Sequence, residues 1–147
     1  TIVSMSYMTV EALIAQKYLK KIGISLDIID LRTVKPIDYS CIVGSLKVTK
    51  RILVLDTGVS TCSIASEIVS YVAINYSNLL DIPPSKITMP DIPEPTSFGL
   101  TKDFYPRAIQ IVERVCQMLN IEGSKLIDEI PEISPHDVPG EWFKGPF

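Results

Sequence analysis

The sequence lacks the residues on which most catalytic and metal sites depend. It has one histidine, His136, and three cysteines, Cys41, Cys62 and Cys116, which are odd in number and far apart. Zinc sites and disulfide frameworks need closely spaced or paired cysteines. His136 lies in a proline-rich tail, where packing on a loop or facing solvent is the simpler role. We therefore predict reduced, mostly buried thiols, no metal site and no Ser/His/Asp or Cys/His catalysis.

Long apolar runs, basic stripes and glycine-rich phosphate loops are also missing. No run approaches the ~20 apolar residues of a membrane span. The net charge is −3, and no basic group exceeds the short one formed by Lys47, Lys50 and Arg51. We therefore expect no membrane and no nucleic acid among the partners. Neither Gly-x-Gly-x-x-Gly nor Gly-Lys-(Ser or Thr) occurs, so a nucleotide site would rest on topology alone.

The overall composition is that of one globular domain. Of the 147 residues, 46 % are hydrophobic and 21 % are charged, which is enough to bury a full core. The first residue is Thr1, and no basic signal region follows it. We expect that the chain begins inside a longer protein or has been processed.

Apolar spacing predicts strands that alternate with helices. We expect strands at residues 1–6, 26–30, 52–55 and 86–89, and helices over 9–23, 39–47, 60–76 and about 106–119. Thr9, and either Ser60 or Thr61, are the expected N-caps of the first and third helices. The continuous apolar run at 52–55 is typical of a strand buried on both faces of a parallel sheet. The pattern predicts an α/β fold, a three-layer α/β/α arrangement with a mostly parallel sheet.

The ten residues 29–38 end a buried strand, cross a charged turn and start a helix. Pro36 removes a backbone donor and disfavours a helical residue before it, so the chain must turn there. Asp38 then suits the N-cap of the next helix. Asp30 and Arg32 flank the carboxyl end of the strand, where such a pair can meet a partner or merely tie a loop to its own domain.

Two further positions are candidates for a role at the carboxyl edge of the sheet. The loop 56–61 precedes a helix at the end of a strand, where α/β sheets place ligands and helix dipoles favour anions. Glu67 stands early in that helix, where the dipole favours a carboxylate. Both a local pairing and an interface role are open for Glu67.

Four segments in the same order resemble a known family. They are the opening Thr1-Ile2-Val3-Ser4, the Asp-Leu-Arg-Thr-Val-Lys-Pro-Ile-Asp run at 30–38, Ile64-Ala65-Ser66-Glu67-Ile68, and Asp91-Ile92-Pro93-Glu94-Pro95. Over residues 1 to about 120 the chain resembles the transketolase C-terminal domain. The resemblance is greatest to the beta subunit of thiamine-diphosphate-dependent 2-oxo acid dehydrogenases of the pyruvate or branched-chain type. Where that family commonly carries glycines, this chain has Cys62-Ser63 and Ala65.

The resemblance implies an assembly role for this chain. The whole enzyme would decarboxylate a 2-oxo acid and transfer the acyl group to lipoyl, with thiamine diphosphate and magnesium bound outside this chain. The implied strand order is 2-1-3-4, with an antiparallel edge strand contributed from upstream of Thr1. We expect the isolated chain to be inactive and to contain no catalytic, cofactor-binding or metal-binding residue.

The resemblance also implies partners and interface positions. The partners would be an alpha subunit or domain, a second beta chain and the subunit-binding domain of dihydrolipoyl acyltransferase, in the cytoplasm or, in a eukaryote, the mitochondrial matrix. The interface and motif residues would be Asp30, Arg32, Pro36, Asp38, Glu67, Asp91 and Pro93. Two alternatives are the corresponding domain of a transketolase or deoxyxylulose-phosphate synthase, and a freestanding ligand-binding α/β domain.

Residues 121–147 differ from the rest and form a predicted tail after a domain of residues 1–120. Four prolines exclude a long helix, while six large apolar residues need a surface to lie on. The prolines are Pro131, Pro135, Pro139 and Pro146, and the apolar residues are Ile127, Ile130, Ile133, Trp142, Phe143 and Phe147. Packing on its own domain and packing on a partner are both open.

Overall fold

The computed structural model describes residues 1–138, 140 and 142–144, and within them strands and helices alternate. The strands are β1 (Ile2–Ser4), β2 (Ile28–Asp30), β3 (Leu53–Val59) and β4 (Ser85–Met89). The helices are α1 (Tyr7–Lys21), α2 (Tyr39–Thr49), α3 (Ile64–Tyr76), α4 (Ala108–Leu119) and the short α5 (Ser124–Ile127). Single 3₁₀ turns lie at Ser77–Leu79 and Phe98–Leu100.

The four strands form one parallel sheet in the order β2-β1-β3-β4. Ile2 of β1 lies opposite Ile28 of β2 on one side and Leu53 of β3 on the other. The predicted fold class and the implied order of these strands are therefore confirmed. The antiparallel edge strand from upstream of Thr1 stays a prediction.

Alternation along the strands divides the core into two layers, because successive side chains of a strand point to opposite faces. Ile2, Leu53 and Leu55 pack with α1, α4 and α5 on one face. Val3 and Val54 pack with α2 and α3 on the other face. These strand side chains are buried in both layers, which explains why the run at 52–55 is apolar without alternation.

The predicted helix starts are partly wrong. The first helix begins at Tyr7 after Ser6, so Thr9 lies inside α1 and does not cap it. The third helix is capped by Ser63, whose hydroxyl accepts from the backbone N–H of Ser66, and not by Ser60 or Thr61. Ser6, at the N-cap position of α1, makes no side-chain capping hydrogen bond, so of these two helices only the third is capped by a hydroxyl.

The prediction that the thiols are mostly buried is wrong. All three cysteines are free, but Cys41 and Cys62 are exposed and only Cys116 is buried. Cys41 lies in the first turn of α2, on the side away from the core, and Cys62 lies in the loop after β3. Burial raises the pKa of the Cys116 thiol, which packs in the layer of α1 and α4.

The described part of the tail packs on its own domain. Leu126 and Ile130 are buried in the layer of α1 and α4, and Glu129 forms an ion pair of 2.7 Å with Lys21. Pro139, Pro146 and Phe147 lie outside the described residues. The division of the chain at residue 120 stays a prediction. In the part of the chain that the structure describes, no helix has the length and apolar character to cross a membrane.

Candidate interface site

The carboxyl end of β2 presents an arginine that is held by an acidic neighbour. The Asp30 carboxylate accepts a hydrogen bond of 3.0 Å from the Thr9 hydroxyl and pairs at 2.7 Å with the Arg32 guanidinium. Behind them, the hydroxyl of buried Ser4 lies 3.0 Å from that of Thr9. The Arg32 side chain is 87 % exposed, whereas Asp30 is mostly covered. The Thr9 hydroxyl therefore holds the Asp30 carboxylate in place, while the Arg32 guanidinium extends into solvent.

Pro36 and Asp38 shape the turn that follows. The Thr33 hydroxyl donates to the Pro36 carbonyl at 3.0 Å, which closes the turn. Asp38 is the N-cap of α2, as predicted, and accepts from the backbone N–H of Cys41 at 3.1 Å. Hydrogen bonds from the Ser40 hydroxyl and from the Cys41 N–H lower the pKa of Asp38. These contacts are local, and they give Asp38 the structural role of capping the N-terminus of α2.

A buried carboxylate organises the loop after β3. Asp56 is 5 % exposed and accepts hydrogen bonds of 2.9 Å from the N–H groups of Gly58 and Ala65. Each carboxylate oxygen thus has one donor, the first near the end of β3 and the second in the first turn of α3. On the far side of the loop, Lys86 of β4 donates to the Ser60 carbonyl at 2.8 Å and also to a hydroxyl in the first turn of α3. The loop is held from the two strands that flank it.

Asp91 ties the proline-rich loop to the same region. Its carboxylate accepts from the Thr61 hydroxyl and, at 3.3 Å, from the Thr61 N–H. The hydroxyl bond, the backbone bond and the Lys86 charge lower the pKa of Asp91. Pro93 lies exposed two residues further on. The loops after β3 and β4 are therefore joined by one carboxylate.

Glu67 stands apart from these contacts. It is exposed in the first turn of α3. Burial of the Tyr39 ring raises the pKa of that phenol, and the negative charge of Glu67 raises it further. Tyr39 stacks on Tyr71 with the ring centroids 3.7 Å apart. Among the described residues, the Glu67 side chain forms no hydrogen bond or ion pair with Asp30, Arg32 or Asp91, and its charge acts on the Tyr39 phenol.

A second acidic site, at Glu11 in α1, had no signal in the sequence. This residue is fully buried, and its carboxylate accepts from the Ala108 N–H at 2.9 Å and lies 3.3 Å from the Arg107 guanidinium. Arg107 also donates to the carbonyls of His136 and Val138, at 3.3 and 2.7 Å. The pair thus fastens the tail to the start of α4. Since Glu11 and Arg107 are 96 residues apart, no local pattern could have paired them.

The histidine has a structural role in the same region. The His136 Nε2 lies 2.8 Å from the Phe98 carbonyl and 3.1 Å from the Thr101 hydroxyl, and its ring lies on Phe98 with the centroids 4.1 Å apart. Within residues 1–138, 140 and 142–144, no three His, Cys, Asp or Glu side chains are grouped so that they could hold a metal ion. Neighbouring donors engage three carboxylates of this region: Asp30 at the end of β2, Asp56 within β3 and Asp91 after β4.

Comparison with known proteins agrees with this geometry. The family model of the transketolase C-terminal domain matches residues 1–111. The chain belongs to the transketolase C-terminal domain family. The resemblance carried by the four sequence segments is thereby confirmed.

Relatives of this transketolase C-terminal domain include beta subunits of several enzymes. The chain is 34 % identical over 122 residues to the mitochondrial pyruvate dehydrogenase E1 component subunit beta of Chaetomium thermophilum, covering 82 % of this chain and 32 % of that protein. It is 35 % identical over 108 residues to the acetoin:2,6-dichlorophenolindophenol oxidoreductase subunit beta of Bacillus subtilis, covering 74 % and 32 %. The chain spans about a third of the length of these curated relatives.

A solved structure shares the fold. It is described as a split gene transketolase, an inactive beta4 tetramer, and it superposes with a TM-score of 0.68 at 26 % identity. The superposition covers 82 % of this chain and 38 % of the other. The α/β fold of this chain is therefore the transketolase C-terminal fold.

Proposed function

We propose that the chain is the C-terminal assembly domain of a beta-type subunit of a thiamine-diphosphate-dependent enzyme, a 2-oxo acid dehydrogenase of the pyruvate type. In this proposal it supports subunit association and holds no cofactor itself. The partners are an alpha subunit or domain, a second beta chain and the subunit-binding domain of dihydrolipoyl acyltransferase. The observation that carries the proposal is the Asp30–Arg32 pair at the carboxyl edge of the sheet.

The Asp30–Arg32 pair adds little to the stability of the domain itself. An ion pair whose arginine is 87 % exposed contributes about 0–1 kcal/mol to stability, because water screens it and the side chain loses entropy. The same guanidinium covered by a partner is desolvated, and truncating such a charge costs about 2–5 kcal/mol of binding. The Thr9 hydroxyl holds Asp30 in place, so the arginine is oriented before a partner arrives.

The residues present do not fit a diphosphate and magnesium site. Such a site needs free carboxylates together with donors for a diphosphate. Here Asp56 is buried and accepts from two N–H groups, Asp91 is bonded to Thr61, and Asp30 to Thr9 and Arg32. We therefore assign thiamine diphosphate and magnesium to the parts of the enzyme beyond this chain, and no chemical step is assigned to these residues.

Charge reversal tests the assembly role. In the complete beta-type subunit co-expressed with its alpha partner, Arg32→Glu should weaken subunit association by about tenfold or more, as measured by sedimentation. The matched control is Arg114→Glu, at an exposed position of α4 and away from the carboxyl end of β2. The subunit with this substitution should associate with its partner as the unsubstituted subunit does. Circular dichroism melting should show both variants folded. Association unchanged in Arg32→Glu, with the fold intact, would contradict the proposal.

Activity measurements separate the alternatives. Decarboxylation of a 2-oxo acid by the isolated chain with thiamine diphosphate and magnesium would overturn the assembly role. In the assembled enzyme, assays with pyruvate and with acetoin distinguish the two substrates that the names of the relatives suggest. Transfer of a ketol group instead would favour the transketolase alternative. A ligand that binds and stabilises the isolated carboxyl edge would favour the freestanding domain.

A further inference from the structure

A cavity of about 710 Å³ lies between α1, the start of α4 and the tail. We propose that it binds a neutral, mostly apolar small molecule that carries one hydrogen-bond acceptor. The side chains that matter most for this are Ile14 and Tyr18 of α1, Ile109 of α4, and Ile130, Ile133 and Trp142 of the tail.

The size and lining of the cavity match a ligand site better than a packing defect. Protein interiors are close-packed and leave few voids larger than a water molecule. Pockets for small molecules measure about 300–1,000 Å³ and combine an apolar, aromatic wall with a few polar groups. The wall here is formed mostly by aliphatic and aromatic side chains. Its polar members among the described residues are Glu11, Arg107, Glu132, Ser134 and the Tyr18 hydroxyl, besides the Trp142 indole N–H.

An unsatisfied donor indicates the polar group of the ligand. The indole Nε1 of Trp142 is buried and has no acceptor among the described residues. The pyrrole edge of the ring packs on Gly140, where an added Cβ would come within 2.9 Å of it. A buried N–H without a partner is costly, and a carbonyl or hydroxyl oxygen in the cavity would relieve that cost.

The charges around the cavity disfavour an anion. Glu11 and Arg107 neutralise one another, and the remaining Arg107 bonds go to the tail carbonyls at 136 and 138. Among the described lining residues, Glu132 supplies the remaining formal charge, and that charge is negative. An anionic ligand would be repelled and desolvated without a counter-ion, whereas a neutral one meets neither penalty.

The cavity is a property of this chain's tail and does not depend on the proposed function. The family match ends at residue 111, and the tail residues that close the cavity come after it. The site is also separate from the Asp30–Arg32 pair, which lies at the end of β2. The cavity can therefore bind a ligand whether or not Arg32 takes part in subunit association, and Arg32 can take part in association whether or not the cavity binds a ligand.

The single tryptophan makes a direct test possible. Since Trp142 is the only tryptophan, the ¹⁵N-labelled chain gives one indole N–H resonance. Three probes of similar shape are titrated: 1-indanone, which carries an acceptor; indane, which has none; and 1-indanecarboxylate, which is anionic. 1-Indanone should shift the indole resonance downfield in a saturable way and bind about tenfold or more tightly than the carboxylate. Indane should bind without the downfield shift.

Two variants locate the binding. Ile14→Phe fills the cavity from α1 and should weaken 1-indanone binding by about tenfold. Ile74→Phe is the matched control, because Ile74 is 76 % exposed on α3, and it should bind as the unsubstituted chain does. If Ile14→Phe fails to fold, Val138→Phe serves at the exposed mouth of the cavity. No saturable indole shift, equal binding of the carboxylate, or unchanged binding in the folded cavity variant would each overturn the proposal.

Discussion

Replacing Arg107 by alanine should strongly lower the free energy of unfolding of the chain. The substitution leaves the fully buried Glu11 carboxylate with a single donor, the Ala108 N–H. Removing one partner of a buried pair costs about 3–5 kcal/mol, because an uncompensated charge stays in the interior. A domain has about 5–15 kcal/mol in total, so the loss takes a large share of its stability. For a chain of this length we expect the Tm to fall by about 6–20 °C.

The assay is urea unfolding followed by far-UV circular dichroism, with two comparison variants. Arg114→Ala, exposed on the same helix, should change the free energy of unfolding by no more than about 0.5 kcal/mol. The double variant with Glu11→Gln should recover a large part of the loss, because a neutral amide oxygen still accepts from the Ala108 N–H and needs no counter-ion. A loss near 1 kcal/mol for Arg107→Ala, or no recovery in the double variant, would show that the buried Glu11 charge does not depend on Arg107.

Three further predictions concern the pKa of Asp91 and two glycines. Hydrogen bonds from Thr61 lower the pKa of Asp91 in the folded chain. The carboxylate therefore stabilises the fold at pH values above its unfolded-state pKa, and this contribution is lost as the pH falls through the lowered folded-state pKa. In Thr61→Ala the pKa of Asp91, measured by carboxyl ¹³C NMR, should rise toward 3.8. Gly44 lies inside α2 with open space where a Cβ would be added, so Gly44→Ala should stabilise the chain by about 0.5–1 kcal/mol. Gly123→Ala would bring its Cβ to 2.7 Å from the Cys116 sulfur and should destabilise by about 1–3 kcal/mol in the same urea assay. A stabilising Gly123→Ala, or a pKa of Asp91 unchanged in Thr61→Ala, would contradict these expectations.

The sheet and its helices were predictable because their signals are local. A few adjacent residues determine each of these signals. One is the apolar run at 52–55, and the other is the end of α1, where Gly23 has a φ of +79°. The motif at 30–38 likewise predicted the Asp38 cap and the charged end of β2. The choice among neighbouring hydroxyls was not predictable, since the Thr9 hydroxyl is engaged by Asp30, a residue of another element.

The Glu11 and Arg107 site was invisible for the same physical reason. A glutamate on an amphipathic helix is usually solvated, and only the arrival of α4 and the tail buries this one. The cavity beside it is lined by residues more than a hundred positions apart, such as Ile14 and Trp142. Tertiary packing decides both features, and hydrophobic periodicity contains no information on them.

The loop after β3 shows how the family's glycines can be absent. Cys62 occupies one of those places and has a φ of +57°, in the left-handed region that glycine adopts without strain. For a residue with a Cβ, that conformation costs about 1–2 kcal/mol. The bonds on either side hold it, with Thr61 tied to Asp91 and Ser63 capping α3. The side chains of the neighbouring residues thus hold the backbone at Cys62 in the left-handed conformation.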